Sequence, residues 1–349
     1  MCKEYSITVN ATSENYKWAL DPIMGNDDRT AISAQIGRRD VADVFRPLSP
    51  PTEAETAVYT IAGTFCEPSN EGSNTLLVAT HGGGYDRAYW HPGVQHEKYS
   101  FVDFAIAKGF SIFYYDRVST GKSQIISGYV AQISNQGAIL KGIVEHARAG
   151  QFPSPASNKV VLVGHSIGSI VSNSVLRSDP ALIDAAILTG VAYYGVDSSR
   201  SLQSRQSRVA NAVDPIKYDK LDGAYNFAVD KYANAENFFK YPYYDQEVLQ
   251  WAEEYKVPSS IVEDLTVRAT NTTSPEFEGP VLIMSGEYDF VACEGYCPGV
   301  IEKGASEMFP VSKNLVTYSH PNSGHSINLG LNATGSFEVI TEFLKGNGF

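Results

Sequence analysis

The sequence predicts an α/β fold: a mostly parallel central sheet with helices on both faces and a helical segment inserted late in the chain. Three observations point there. Short apolar runs rich in β-branched residues alternate with helix-period segments from residue 75 onward. That rhythm stops between about Tyr194 and Pro280. One of the apolar runs leads directly, through Gly164-His165-Ser166-Ile167-Gly168, into a helical pattern.

Continuous apolar runs mark strands buried on both faces, whereas a half-exposed strand alternates. Residues 75–80, 111–115, 159–164, 185–189, 281–284 and 314–318 read as such buried strands. Two earlier segments, 5–9 and 56–64, alternate and are expected to pair as an antiparallel edge. Residues 100–108, 133–149, 167–177 and 336–345 carry the spacing of helices that cover a sheet. The stretch after Tyr194 holds helix-like segments at 248–255 and 259–270 but no strand-like run, and it is too long for a plain loop. The expected organisation is therefore a core of residues 1–195 and 280–349 with a helical cap of residues 196–279. Ten aromatics crowd that insertion, among them Tyr225, Phe227, Phe238, Phe239, Tyr243 and Trp251. Part of them must pack the insertion itself, and the rest are expected to line a pocket for an apolar or aromatic ligand.

Composition narrows the function. The 349 residues contain 27 Lys+Arg against 39 Asp+Glu, a net charge of -12. No dense basic run occurs, so a nucleic-acid partner or an anionic membrane surface is not expected. No apolar stretch is long enough for a transmembrane helix. Four cysteines, Cys2, Cys66, Cys293 and Cys297, leave open two disulfides (Cys2 with Cys66, Cys293 with Cys297) or four reduced thiols. Sequons at Asn10, Asn271 and Asn332 permit glycosylation without requiring it.

The strand-to-helix Gly-x-Ser-x-Gly carries the chemistry. A nucleophile on so sharp a turn needs small residues on either side, and the turn puts the Ile167 N–H at a helix N-terminus, where it can stabilise an oxyanion. A serine hydroxyl also needs a base and an orienting acid. Asp289 follows the strand at 281–284 and His325 follows the last strand, giving the chain order Ser166, Asp289, His325. His320 competes as the base, and Glu287, Asp264 and Asp197 compete as the acid. His81-Gly82-Gly83-Gly84 follows the third strand, where the second oxyanion donor belongs; the Gly83 N–H is the expected donor, with Gly82 and Gly84 as neighbours and His81 holding the loop. Asp116 to Ser123 ends in Gly-Lys-Ser but lacks the first glycine of a phosphate loop. Cys293 and Cys297 have no neighbouring ligands for zinc. No metal and no cofactor are expected.

On His81-Gly82-Gly83-Gly84, Tyr115-Asp116-Arg117 with Gly121 and Ser123, Gly164 to Gly168, Gly286 with Asp289, and Gly324-His325, the chain resembles the α/β-hydrolase superfamily over residues 56–195 and 280–347. It has Ser119 where that family usually has glycine. The opening residues and sequons are similar to mature starts of secreted fungal members, which favours secretion over a cytoplasmic location. The resemblance implies a serine hydrolase of esters or lactones, and the aromatic insertion a bulky, largely apolar small-molecule substrate rather than a charged one. Expected substrate contacts are Tyr85, His165, Tyr225, Phe238, Phe239, Tyr243 and Trp251. The same groups would also serve C–C bond hydrolysis or acyl transfer, and a hydrolase fold kept as a non-catalytic ligand-binding module is the alternative of another class.

Overall fold

The computed structural model describes residues 1–41, 44–69, 72–152, 158–194 and 198–349. Eight strands form one sheet: β1 (Cys2–Glu14), β2 (Ala54–Cys66), β3 (Thr75–Thr80), β4 (Ser111–Tyr115), β5 (Lys159–His165), β6 (Ala185–Thr189), β7 (Val281–Gly286) and β8 (Leu315–His320). Their order is β1-β2-β4-β3-β5-β6-β7-β8. The pairings β1 with β2 and β2 with β4 are antiparallel; every later pairing is parallel.

Alternate residues of the central strands feed two cores. Leu76, Val78, Val160 and Leu162 face one side, with Ile139, Leu140 and Ile143 of α3 (Ile133–Arg148) and Val171 and Val175 of α4 (Ile167–Ser178). Leu77, Ala79, Val161 and Val163 face the other, with Phe101 of α2 (Phe101–Ala107) and Phe337, Ile340 and Leu344 of α9 (Ala333–Gly346). This is the pleat acting on strands that have no solvent face. The edge pair is longer than its sequence pattern suggested. β1 and β2 pair residue for residue from Cys2↔Cys66 to Glu14↔Ala54, because threonines, serines and asparagine continue the strands where apolar alternation has ended.

The chain between β6 and β7 contains α5 (Ser198–Ser204), α6 (Lys231–Phe238), α7 (Gln246–Glu254) and α8 (Ile261–Thr266). Two expectations are corrected there. A small antiparallel sheet joins Arg208–Val209, Tyr225–Phe227 and Ser259–Ser260, and the helix expected over 259–270 is confined to Ile261–Thr266. Strands of two or three residues are too short to show a period. The segment between β1 and β2 also packs against the insertion. Ile23 and Ile32, the latter in α1 (Asn26–Gln35), are buried against Val209, Ala224, Ile261 and Val262. An N-terminal arm therefore shares a hydrophobic cluster with the insertion.

Candidate active site

Ser166 sits between β5 and α4 with φ 54° and ψ -120°. A non-glycine residue rarely holds that conformation, and it persists only where its surroundings fix it. The flanking glycines do so by letting the backbone close up. A Cβ on Gly164 would lie 2.5 Å from Ser169 Cα, and one on Gly168 would lie 2.1 Å from the Thr80 carbonyl oxygen.

The carboxyl ends of β7 and β8 bring the other two groups to this turn. His325 Nε2 lies 2.8 Å from Ser166 Oγ. On its other side, His325 Nδ1 is 2.9 and 2.8 Å from the two oxygens of Asp289. Nδ1 therefore carries the proton and donates, leaving Nε2 to accept from the serine hydroxyl. Asp289 is 0% exposed and His325 1%. The carboxylate also accepts the Ala292 N–H at 2.7 Å, which fixes its plane. Phe238 stacks on the His325 ring with centroids 5.6 Å apart, while the Ser326 N–H donates to the Phe238 carbonyl at 2.8 Å. The His165 ring lies 4.9 Å from that of His325. Burial, then the neighbouring His325 and His81, hold His165 well below the ordinary histidine range.

The loop after β3 presses against this turn. A Cβ on Gly82 would lie 3.0 Å from Ser166 Cβ, and one on Gly83 would lie 3.0 Å from Ile167 Cδ1. Among the described residues, the N–H groups of Gly83 and Ile167 have no hydrogen-bond acceptor. His81 anchors the loop. Its Nε2 accepts the Arg117 N–H at 3.1 Å, so Nδ1 donates to the Gly82 carbonyl at 2.8 Å. Burial first, and then the Arg117 charge, depress the His81 pKa far below its usual value. The Arg117 guanidinium donates to the same carbonyl at 3.2 Å and pairs with Glu263 of α8, both residues being buried. A cavity of about 350 Å³ opens at Ser166, walled by Ile167, Ile170, Leu202 and Val267, with Arg205, Asp264 and Arg268 also on its lining.

The family described as "Serine aminopeptidase, S33" matches residues 97–307, more than half of the chain, taking in Ser166 and Asp289. The chain belongs to this family of α/β-hydrolases. No curated protein matches the sequence. Among solved structures, a thermophilic esterase from Thermogutta terrifontis aligns at TM-score 0.59 and 17% identity, covering 83% of this chain and 95% of that one. An enol-lactonase from Burkholderia xenovorans LB400 aligns at TM-score 0.53 and 16% identity over 82% and 97% of the two chains. A carboxylesterase structure from the thaumarchaeon Nitrososphaera gargenis aligns at 0.55 and 16% over 82% and 94%. These likenesses show the shared fold, and they lend no support to the expected fungal similarity.

The remaining expected residues of this α/β-hydrolase divide sharply. Tyr85 stays near the site, its hydroxyl 3.2 Å from Ser326 Oγ and its ring packed on Phe238. None of the seven expected substrate contacts is among the described residues lining the cavity at Ser166, and Tyr225, Phe239, Tyr243 and Trp251 pack elsewhere. Tyr225 is buried inside the insertion and donates to the Ile126 carbonyl at 2.9 Å, Phe239 packs on Tyr244, Tyr243 lies over Tyr288, and Trp251 stacks on Tyr255. They fill the insertion and the seam beneath it, where their large area is best spent. His165 is buried, with Nδ1 donating to Thr189 Oγ1 at 3.0 Å and its ring stacked on Tyr89, so it supports the site from below. Of the competitors, His320 hydrogen-bonds the Asn332 carbonyl at 2.8 Å, Glu287 accepts the Asn322 N–H at 3.0 Å, and Asp264 pairs with Arg205. Asp197 lies outside the described residues. Both candidate disulfides are formed, Cys2 with Cys66 and Cys293 with Cys297. Ser119 adopts φ 69°, a backbone conformation that favours glycine.

Arg205 and Glu263 were not anticipated. Ser260-Ile261-Val262-Glu263 is a capping-box pattern, and Ser260 Oγ does accept the Glu263 N–H at 3.2 Å. The Glu263 carboxylate leaves the cap and reaches Arg117 instead, which only the tertiary fold decides.

Proposed function

We propose that the chain is a serine hydrolase that cleaves an ester or lactone through an acyl-enzyme. The reading is carried by the unbroken hydrogen-bonded chain from Ser166 through His325 to Asp289. Ser166 Oγ attacks the substrate carbonyl as His325 Nε2 takes its proton, and Asp289 holds the imidazolium by Nδ1–H. The Gly83 and Ile167 N–H groups are the donors for the tetrahedral oxyanion, and their lack of acceptors among the described residues supports that role. His325 then gives its proton to the leaving alcohol and afterwards takes one from water, which releases the acid. In this reading the segment from 198 to 279 is a cap, whose Phe238 covers the imidazole and excludes water.

An aminopeptidase, which the family description names, must receive a substrate ammonium. The only carboxylate lining the cavity at Ser166 among the described residues is Asp264, and Arg205 already holds it. That favours esters over N-terminal peptides. A fluorophosphonate should label Ser166, and Ser166→Ala should lose both the label and hydrolysis of 4-nitrophenyl esters. An unlabelled, folded wild-type protein would instead support a ligand-binding role. Two disulfides and exposed sequons at Asn10, Asn271 and Asn332 favour an oxidising, secreted setting; glycosidase-sensitive mass on the protein from its native source would bear this out.

A further inference from the structure

One wall of the cavity at Ser166 carries two arginines and one carboxylate. Arg205, just past α5, lines that wall with Arg268 and Asp264, both from α8 or the turn after it. Arg205 Nη1 lies 3.3 Å from each oxygen of Asp264. Its Nε–H is buried without an acceptor. A second guanidinium, that of Arg29 in α1, is 1% exposed and feels the same pair, attracted by Asp264 and repelled by Arg205. Among the described residues its Nη groups donate to the neutral Ser33 and Asn226, and its Nε–H lacks an acceptor. Burial draws the Arg29 pKa down to about 10, so it stays charged at neutral pH.

Arg205 also borders a small recess toward Gly84 of the glycine loop and Phe238 above His325. Asn234 lines that recess. It is 2% exposed, and its Nδ2 has no acceptor. Among the described residues, three buried N–H donors thus lack an acceptor: that of Arg205 at the cavity, that of Asn234 in the recess Arg205 also borders, and that of Arg29, within electrostatic reach of Asp264. Unpaired buried donors oppose folding, and the one on Arg205, on the lining of the cavity that holds Ser166, has an acceptor to gain there. The walls between Ser166 and the arginines, Ile167, Ile170, Leu202 and Val267, suit a short methylene chain.

We propose that this wall receives a carboxylate carried by the substrate, so that the preferred substrates are esters whose acyl chain ends in a free carboxylate, such as half-esters of dicarboxylic acids. The planar guanidinium fork of Arg205 matches a carboxylate in shape as well as charge, and Asn234 offers a neutral donor in the recess that Arg205 also borders. The inference rests on the serine-hydrolase reading and replaces the expectation of an uncharged substrate.

The test compares mono-4-nitrophenyl glutarate with neutral 4-nitrophenyl hexanoate, a chain of similar reach. Wild-type kcat/KM should be at least tenfold higher for the glutarate half-ester, with the advantage shrinking as salt is raised. In Arg205→Gln the ratio of the two constants should fall at least tenfold, and Arg205→Lys should restore part of it. Because Arg205→Gln leaves Asp264 unpaired and can fail to fold, Asn234→Asp is the second variant. It keeps the shape, sets a negative charge against the incoming group and should lower the same ratio. Free glutarate should also slow fluorophosphonate labelling of wild-type Ser166, and do so less in either variant. A wild type that cleaves the hexanoate as fast as the half-ester overturns the proposal, as does a ratio that neither variant changes. Failure of the hydrolase reading itself looks different: Ser166 then takes no label at all, with or without glutarate.

Discussion

Asp289 separates chemistry from folding more cleanly than any other residue of the site. Its carboxylate accepts from both His325 Nδ1–H and the Ala292 N–H, so Asp289→Asn keeps the helix-capping bond through its amide oxygen. The amide nitrogen then faces Nδ1 and forces the proton onto Nε2, leaving His325 unable to accept from Ser166. Such tautomer reversal costs about 10⁴-fold in kcat in the trypsin-type triad, and a loss of that order is expected here, read with a 4-nitrophenyl ester on a variant whose thermal midpoint is within a few degrees of wild type. The buried histidines give a second test. His81, His165 and His320 are each held below the ordinary histidine value of 6.5, in every case first by burial. In that range the unfolded chain binds protons that the folded one refuses, so stability is full above the unfolded value and falls as pH drops below it. Each ring can remove up to about 1.4 kcal/mol per pH unit. Asp86 and Asp116, raised by burial, act in the opposite sense at lower pH, which makes the interval from pH 7.5 to 5.5 the informative one. Urea midpoints should fall across it; a flat profile would mean that the rings are not neutral and buried. The contributors to the hydrogen-bonded chain were legible because each stands next to a strand end in sequence. Arg205 was not, since its partner Asp264 is remote in the chain.

Elements differ in how openly the sequence declares them. β3, β4 and β6 match their apolar runs residue for residue, because burial on both faces leaves no other pattern available. β8, an edge strand whose residues are mostly half-buried, is offset by a residue at its start. α8 is shorter than the helix-like stretch at 259–270, and its Glu263 ties it to the core. The Arg117–Glu263 pair ties the insertion to the end of β4, and Gln136 of α3 donates to the same carboxylate at 3.1 Å. Since Arg117 also holds the Gly82 carbonyl, the pair reaches the glycine loop. Glu263→Gln removes the charge and strands a buried guanidinium, which should cost about 3 to 5 kcal/mol. Urea unfolding checks the magnitude. The variant should also label more slowly with fluorophosphonate at temperatures where it is fully folded, because the loop bearing the Gly83 N–H has lost its support. A loss below about 0.5 kcal/mol would show that the pair is solvated rather than buried.

At the scale of the molecule, the parallel strands have a reactive end and a quiet end, and the two disulfides fall on opposite sides of that divide. Cys66 pairs in register with Ile112 at the start of β4, far along the strand from the site at its carboxyl end. The Cys2–Cys66 bridge spans 64 residues of sequence, including the arm that packs on the insertion. Closing a loop of that length stabilises by on the order of 4 kcal/mol in the chain-entropy account. The Cys293–Cys297 bridge spans 4 residues, for which the same account gives only about 2 kcal/mol. Yet it lies directly behind Asp289: the Cys293 N–H donates to the Asp289 carbonyl at 3.2 Å, and the Cys297 N–H to that of Glu287 at 2.9 Å. The two double Cys→Ser variants should therefore dissociate stability from reactivity. Removing Cys2 and Cys66 should lower the thermal midpoint more while leaving the rate of Ser166 labelling at 25 °C unchanged. Removing Cys293 and Cys297 should lower the midpoint less but slow labelling, as the Asp289 loop gains freedom and His325 loses its fixed orientation. If instead the variant lacking Cys2 and Cys66 labels slowly while folded, the two ends of the sheet are coupled and scaffold and site are not separable.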